Sequence, residues 1–328
     1  MKRMHHLLIP LTASAAALLL AACGTTAPAS SGSGDSHKPK IGVVALVATD
    51  ALNAAVIKGV KDVASKNGWD VIVTDTNGDV NKANAAMVTF STTQKTDAIA
   101  VMAFQSNALQ QGLQAARTAK IPVVSWGGEP ADGIVATTSA RKVGEDSVNA
   151  LLDDFGTAGA VLGLTYHTGV LCLYRGYAFE DAMKKQSGIE LSENEVKIPG
   201  QVEDGTKFTA GWLAKHPKGS EPLAIWGSWD EPAIGAIAAL KQAGRDDVKV
   251  YGINGGPQAL QAVMDGTMTQ VVWQDGETEG KDMMQGAIDA IDAGSSWEPK
   301  TYDVPGVVVS QDNIKQFLAD HPDAMSNK

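Results

Sequence analysis

Seven tryptophans occur in 328 residues, in a chain whose aromatic content is only 5%. Four of them, Trp126, Trp226, Trp229 and Trp273, fall at or just past the ends of short apolar runs that read as strands. A flat indole at such a point covers the apolar face of a small solute, or fills a core; Trp226 and Trp273 suit either role. Tyr166 and His167 follow another apolar run and could line the same space. Asp230 precedes Pro232, where a carboxylate either caps the coming helix or accepts from a ligand. Asp75, Asn77 and Asp79 are spaced as in a calcium loop but lack the bidentate Glu and the full spacing, so no metal is assigned. Catalytic patterns are missing. The first strand–helix turn has no G-x-G-x-x-G; there is no phosphate loop and no H-E-x-x-H, and Gly227-Ser228-Trp229 does not complete a G-x-S-x-G elbow. The chemistry on offer is binding, without a cofactor, and no enzyme is expected.

The N-terminus carries a different kind of chemistry. Lys2 and Arg3 precede a stretch from Leu7 to Ala22 that is apolar apart from Thr12 and Ser14. This is the layout of an export signal. It closes Leu20-Ala21-Ala22-Cys23, which resembles the lipobox of bacterial lipoproteins. That resemblance implies cleavage before Cys23, lipid attachment to Cys23, and an extracytoplasmic protein held on a bacterial membrane by acyl chains. An export signal with a chance cysteine is the other reading. Lipidation would leave Cys172, inside Val170-Leu171-Cys172-Leu173, without a disulfide partner; a buried, inert thiol is expected there. Residues 23–39, rich in Ser, Gly, Ala and Pro, read as a tether that cannot build a core.

From Lys40 onward apolar runs alternate with helical stretches. Strands are expected at Ile41–Val47, Asp70–Thr74, Asp97–Ala103, Pro122–Trp126 and Gly133–Thr138. Helices are expected at Ala51–Lys66, from Asp79 to about Thr93, and at Ala108–Thr118. A second series repeats the alternation: strands at Val161–Thr165, Val196–Pro199, Leu223–Ile225, Val248–Ile253 and Thr269–Trp273. Its helices fall at Val143–Phe155, Tyr174–Lys185, Phe208–Lys215, Pro232–Ala243, Pro257–Met264 and Glu277–Ala293. Near-continuous apolar strands between helices imply parallel sheets covered on both faces. Two series imply an α/β protein of two doubly wound lobes with a ligand site between them, at the carboxyl ends of the strands. The formal charge of −10 argues against a nucleic-acid partner.

Three segments carry a resemblance to a known family. Ser228-Trp229-Asp230-Glu231-Pro232-Ala233-Ile234-Gly235-Ala236, followed by Ala239-Leu240-Lys241-Gln242-Ala243-Gly244, is similar to the (N/W)D-E-x-A-x-G-A and A-L-K-x-A-G motifs of ribose-type periplasmic binding proteins. Val248 to Asn254 with Gly255, and Ala262 to Gln274, resemble the next two motifs in order. The resemblance implies the type I periplasmic binding protein fold, two lobes joined by a multi-strand hinge. It places residues 40–138 with 275–303 in an N-terminal lobe and 139–274 with 304–328 in a C-terminal lobe. Carried over, the family's ligand contacts fall on Trp229, Asn254 and Gln274, with Asp50 to Asn53 in the cleft-facing loop. Arg175 opens Arg175-Gly176-Tyr177-Ala178-Phe179, like the family's R-x-x-(G/A)-F helix start. With Trp126 and Asp230 the expected ligand set is Asp50, Asn53, Trp126, Arg175, Trp229, Asp230, Asn254 and Gln274. For Arg175 a solvated helix face, and for Asn254 a turn, are the alternatives.

The resemblance implies a monomer that captures a small polar solute, a sugar or polyol, and hands it to the permease and ATPase subunits of an ABC importer. A sensory protein that presents its ligand to a receptor, or a binder of another small metabolite, remains compatible. A repressor on the same fold would need a helix-turn-helix where the export signal stands. Aromatics against ring faces, with carboxylates, amides and an arginine fork at the edges, suit hydroxyls that both donate and accept. Gly127-Gly128 replaces the Asp-Arg pair of ribose binders, Leu52 and Asn53 replace an aromatic pair, and Leu173 replaces an arginine. These departures point away from ribose itself.

Overall fold

The computed structural model describes residues 37–326 apart from 129, 130 and 132. The export signal, Cys23 and the tether up to residue 36 lie outside the described residues. The chain begins with β1 (Lys40–Ala45), α1 (Ala51–Lys66), β2 (Asp70–Asp75), α2 (Val80–Thr89), β3 (Ala98–Met102), α3 (Gln110–Ala119), β4 (Val123–Trp126) and β5 (Ile134–Thr138). It continues with α4 (Arg141–Phe155), β6 (Ala158–Thr165), α5 (Val170–Met183), β7 (Gly188–Glu195), α6 (Gln201–Leu213), β8 (Leu223–Gly227), α7 (Asp230–Ala243), β9 (Val248–Asn254), α8 (Pro257–Met264) and β10 (Gln270–Trp273). Last come α9 (Gly276–Ala293), β11 (Lys300–Tyr302), β12 (Val307–Ser310) and α10 (Ile314–Asp320).

The strands form two six-stranded sheets, in the orders β2-β1-β3-β4-β5-β11 and β7-β6-β8-β9-β10-β12. Every pairing is parallel except β10 with β12. The central strands β1, β3 and β4 are buried almost throughout, as parallel strands covered by helices on both faces must be. The two α/β lobes therefore share one strand order and differ in the sixth strand, parallel in the first (β11) and antiparallel in the second (β12). The strand order reverses between β1 and β3 in the first and between β6 and β8 in the second. Both sheets lie within one contiguous unit, Lys38–Lys328. The chain passes between sheets three times, after β5, after β10 and after β11.

Close helix pairs tie each lobe together. A β-carbon on Gly59 of α1 would stand 2.1 Å from the Glu277 carbonyl oxygen of α9, and one on Gly280 would stand 2.0 Å from that of Val56. In the second lobe, Gly205 of α6 and Gly235 of α7 press against the Pro232 and Val202 carbonyls at 2.3 and 2.2 Å in the same sense. Only glycine permits backbones to approach so closely.

Beyond Ala293, where no element was expected, the chain adds β11, β12 and α10, and three expected elements differ in their bounds. The strand expected at Val196–Pro199 is instead β7, just upstream. It is an edge strand whose residues alternate between half-buried and exposed, so the polar sequence Gly188 to Glu195 shows no apolar run. Helix α6 starts at Gln201, not Phe208, because Gly200 turns the chain with a φ of 119° and Glu203 and Asp204 complement the helix N-terminus. Helix α5 starts at Val170, not Tyr174; its apolar first turn is packed into the molecule and so shows no amphipathic stripe.

Candidate functional site

The loops at the two reversal points face one another, and a cavity of about 40 Å³ lies between them. From the first lobe it is lined by Leu46, Val47, Asp50 and Asn53 beyond β1, Ala103 beyond β3, and Trp126 at the end of β4. From the second come Tyr166 beyond β6, Gly169, Leu171, Cys172 and Arg175 of the α5 approach, Trp229 and Glu231 beyond β8, and Asn254 ending β9. A crevice at the carboxyl ends of strands, where strand order reverses, is where doubly wound sheets receive ligands. The enclosed space holds only a few water molecules.

The lobes meet along main chain. The Ala103 carbonyl accepts from the Val170 N–H at 2.9 Å, Phe104 and Gly169 form an antiparallel bridge, and the Gln105 side chain donates to the His167 carbonyl at 2.8 Å. Ala103 holds a φ of 63° to make this turn, a conformation that costs a non-glycine residue energy.

Asp50 caps α1, its Oδ1 accepting from the N–H groups of Leu52 and Asn53 at 3.1 Å. The same oxygen accepts from Asn53 Nδ2 at 2.9 Å, so the amide nitrogen of Asn53 is committed. Asn53 Oδ1 is buried without a partner. Asn254 serves both roles offered by its sequence. Its φ of 109° turns the chain ahead of Gly255, while its side chain lines the cavity with Oδ1 unpartnered. Strain and an orphaned polar atom at one residue mark a functional position.

Arg175 is buried, not on a solvated helix face. Its guanidinium donates to the Ser228 carbonyl at 2.8 Å and to Gln274 Oε1, and its Nε has no partner. Burial pulls Arg175 below its usual range, against the field of Cys172, Glu279, Asp230 and Asp50. Gln274 does not line the cavity. It stands behind Arg175 and passes the contact on, Nε2 donating to Glu279 Oε1 at 3.4 Å. Glu279 Oε2 accepts from Trp126 Nε1 at 2.8 Å. A buried polar relay thus joins α5, the crossing after β10, the start of α9 and the end of β4. Burial pushes Glu279 up to about 7, with the Trp126 bond opposing.

Asp230 does not cap its own helix, whose N-cap is Trp229. Its Oδ2 accepts from the Gly256 N–H at 2.7 Å, at the start of α8, so the carboxylate serves the neighbouring helix. Burial raises Asp230 well above the carboxylate range, against hydrogen bonds from Gly256 and Gly255. Like Gln274 it lies behind the cavity wall. Trp229 stands on the wall, its ring centroid 5.8 Å from that of Tyr166 in an edge-on arrangement.

Trp226 and Trp273 are structural. Trp226 stacks on Phe179 at 4.3 Å and donates to Ser147, and Trp273 packs on Phe317 and His321 of the C-terminal helix. Cys172 is half-buried and faces the cavity, where a core thiol was expected; burial raises its thiol pKa. His167 is held by Glu180 and Glu195. The calcium-like trio is occupied with backbone: Asp75 accepts from Ala48 and Asn77, and Asp79 caps α2. Tyr166, offered by its place after an apolar run, does line the cavity, whereas Glu231 and Glu279 were not picked out by sequence patterns as part of the site. Glu231 sits inside the recognised motif and was the accessible one.

A family model described as periplasmic binding protein domain matches residues 41–295. The fructose import binding protein FruE of Bifidobacterium longum is 29% identical over 324 residues, 93% of this chain and 96% of that protein. The ribose import binding protein RbsB of Bacillus subtilis is 25% identical over 280 residues, covering 83% and 89%. Among solved structures, an ABC transporter solute binding protein from Agrobacterium vitis with bound allitol superposes with a TM-score of 0.78. It is 24% identical and covers 86% of this chain and 98% of that one. Matched lobes, a cavity at the paired reversal points and a family model spanning both sheets carry one conclusion: the chain belongs to the periplasmic binding protein family.

Proposed function

We propose that this protein captures a small sugar or polyol between its lobes, outside the cytoplasm, and delivers it to the permease and ATPase subunits of an ABC importer. The observation that carries this reading is the cavity itself. It brings Asp50, Asn53, Trp126, Arg175, Trp229 and Asn254 together from both lobes and leaves Asn53 Oδ1, Arg175 Nε and Asn254 Oδ1 without protein partners. Buried polar atoms are rarely left unpaired, and a hydroxylated solute offers both donors and acceptors. The names of the relatives that import fructose and ribose support the solute class.

Binding proceeds by hinge closure. The solute docks on one lobe, the other swings over it, and the contacts made only in the closed form shift the population. The importer reads the closed shape. Trp229 covers an apolar face of the solute, Arg175 and the two asparagines hold its polar edge, and Gln274 positions Arg175. The protein is a monomer anchored by lipid on Cys23.

A thermal-shift screen of sugars and polyols identifies ligands by their mass-action stabilisation. With a hit in hand, Trp229→Ala and Gln274→Ala each weaken binding at least about tenfold by calorimetry, the loss of one charged or stacking contact. Wild-type affinity in both variants removes these residues from the site.

A further inference from the structure

The donors and acceptors facing the cavity are unequal. Asn53 and Asn254, both more than nine-tenths buried, present unpartnered Oδ1 atoms, and the Asn53 amide nitrogen is already spent on Asp50. Two carboxylates line the same space from opposite lobes, Asp50 at the start of α1 and Glu231 in the first turn of α7. Asp50 uses Oδ1 for all its protein bonds. Glu231 uses Oε2 for Gln201 and Trp229. Each therefore retains an oxygen without a protein partner.

Arg175 is the single cation among the described lining residues, and it lies in the field of Asp50 as well as of Asp230 and Glu279 behind it. Its hydrogen bonds run from the two Nη atoms to Ser228 and Gln274, and its Nε has no partner. Asp50 and Glu231 are thus two carboxylates, one from each lobe, against that one cation. A neutral hydroxyl supplies one donor and adds lone pairs to a wall already rich in them. An ammonium group supplies three donors, no acceptor and a positive charge, and the indole face of Trp229 beside it favours a cation as well.

Resting on the solute-binding reading above, we propose that the solute is an amino sugar or amino-polyol whose ammonium group seats between Asp50 and Glu231, with hydroxyls reaching Asn53 and Asn254. The test is calorimetric titration of the full chain with matched pairs: glucosamine and glucose, galactosamine and galactose, and an inosamine and myo-inositol. In a pair that binds, the amine is expected to bind at least about tenfold more tightly, because hydrogen bonds between charged groups are roughly twice as strong as neutral ones. Glu231→Gln, of the same shape, and Asp50→Asn, which keeps an N-cap of equal quality, reduce that preference to within about threefold while leaving the melting temperature of the free protein near wild type.

A neutral member that binds as tightly as its amine overturns the inference and leaves the sugar-binding reading intact. So does a preference that survives both substitutions. Absence of binding by all the amines overturns it too. If neutral sugars and polyols also fail to bind, the underlying reading falls with it.

Discussion

Glu279 has no access to water, and its two oxygens accept from Gln274 and Trp126. Arg175 draws its pKa down while Asp275 and Asp282 push it up, but burial dominates and holds it near 7. A carboxyl that keeps its proton in the fold to about pH 7, yet loses it at about 4.3 when unfolded, stabilises the fold fully below the lower value. That contribution is lost as pH rises through the upper one. Glu279→Gln carries no such titration. Urea unfolding at pH 5 and pH 8 is therefore expected to show the variant gaining about 1–3 kcal/mol on wild type between the two pH values. Parallel profiles would dismiss the role of burial. The sequence motifs led to Trp229, Asn254, Arg175 and Gln274, because each sits in a local pattern. They could not show that Arg175 turns inward or that Glu279 meets Trp126, since that bond joins residues 153 positions apart. Asp230 shows the same limit: its position ahead of Pro232 is that of a cap, and only the fold reveals that the capped helix is α8.

At the scale of elements, glycines set how near the helices come. Gly280 faces the Val56 carbonyl so closely that Gly280→Ala must push α9 away from α1, with a cost of about 1–3 kcal/mol or more. Gly211, inside α6, has nothing within 4 Å of a would-be β-carbon. Gly211→Ala should therefore stabilise by about 0.5–1 kcal/mol, from the gain in helix propensity. Urea midpoints for the two variants should move in opposite directions; a shift of the same sign in both would mean that helix contact is not what these glycines decide. The buried strands were legible as apolar runs, since a parallel strand covered on both faces has no polar side to show. Strand β7 was illegible for the converse reason, lying at the sheet edge with half its side chains exposed. Strands β11 and β12, three and four residues long, are too brief to show a period at all.

The whole molecule repeats one arrangement twice, and the site exists only where the two copies confront each other. The repeated alternation of runs and helices made that plan readable, while the closeness of the copies was not readable, because it depends on contacts between residues far apart in sequence. The proposed delivery to a membrane importer is served by a lipid anchor, and Cys23→Ala tests for one. Loss of the thiol should move the exported protein from the membrane fraction to the soluble fraction and abolish its labelling by a radioactive fatty acid. Membrane retention of the variant would refute the lipid anchor. The contact between the lobes beside the cavity, Ala103 to Val170 and Phe104 to Gly169, is written in peptide groups. Peptide groups are the same whatever side chains surround them. That join can therefore stay constant while the side chains lining the chamber are exchanged one by one.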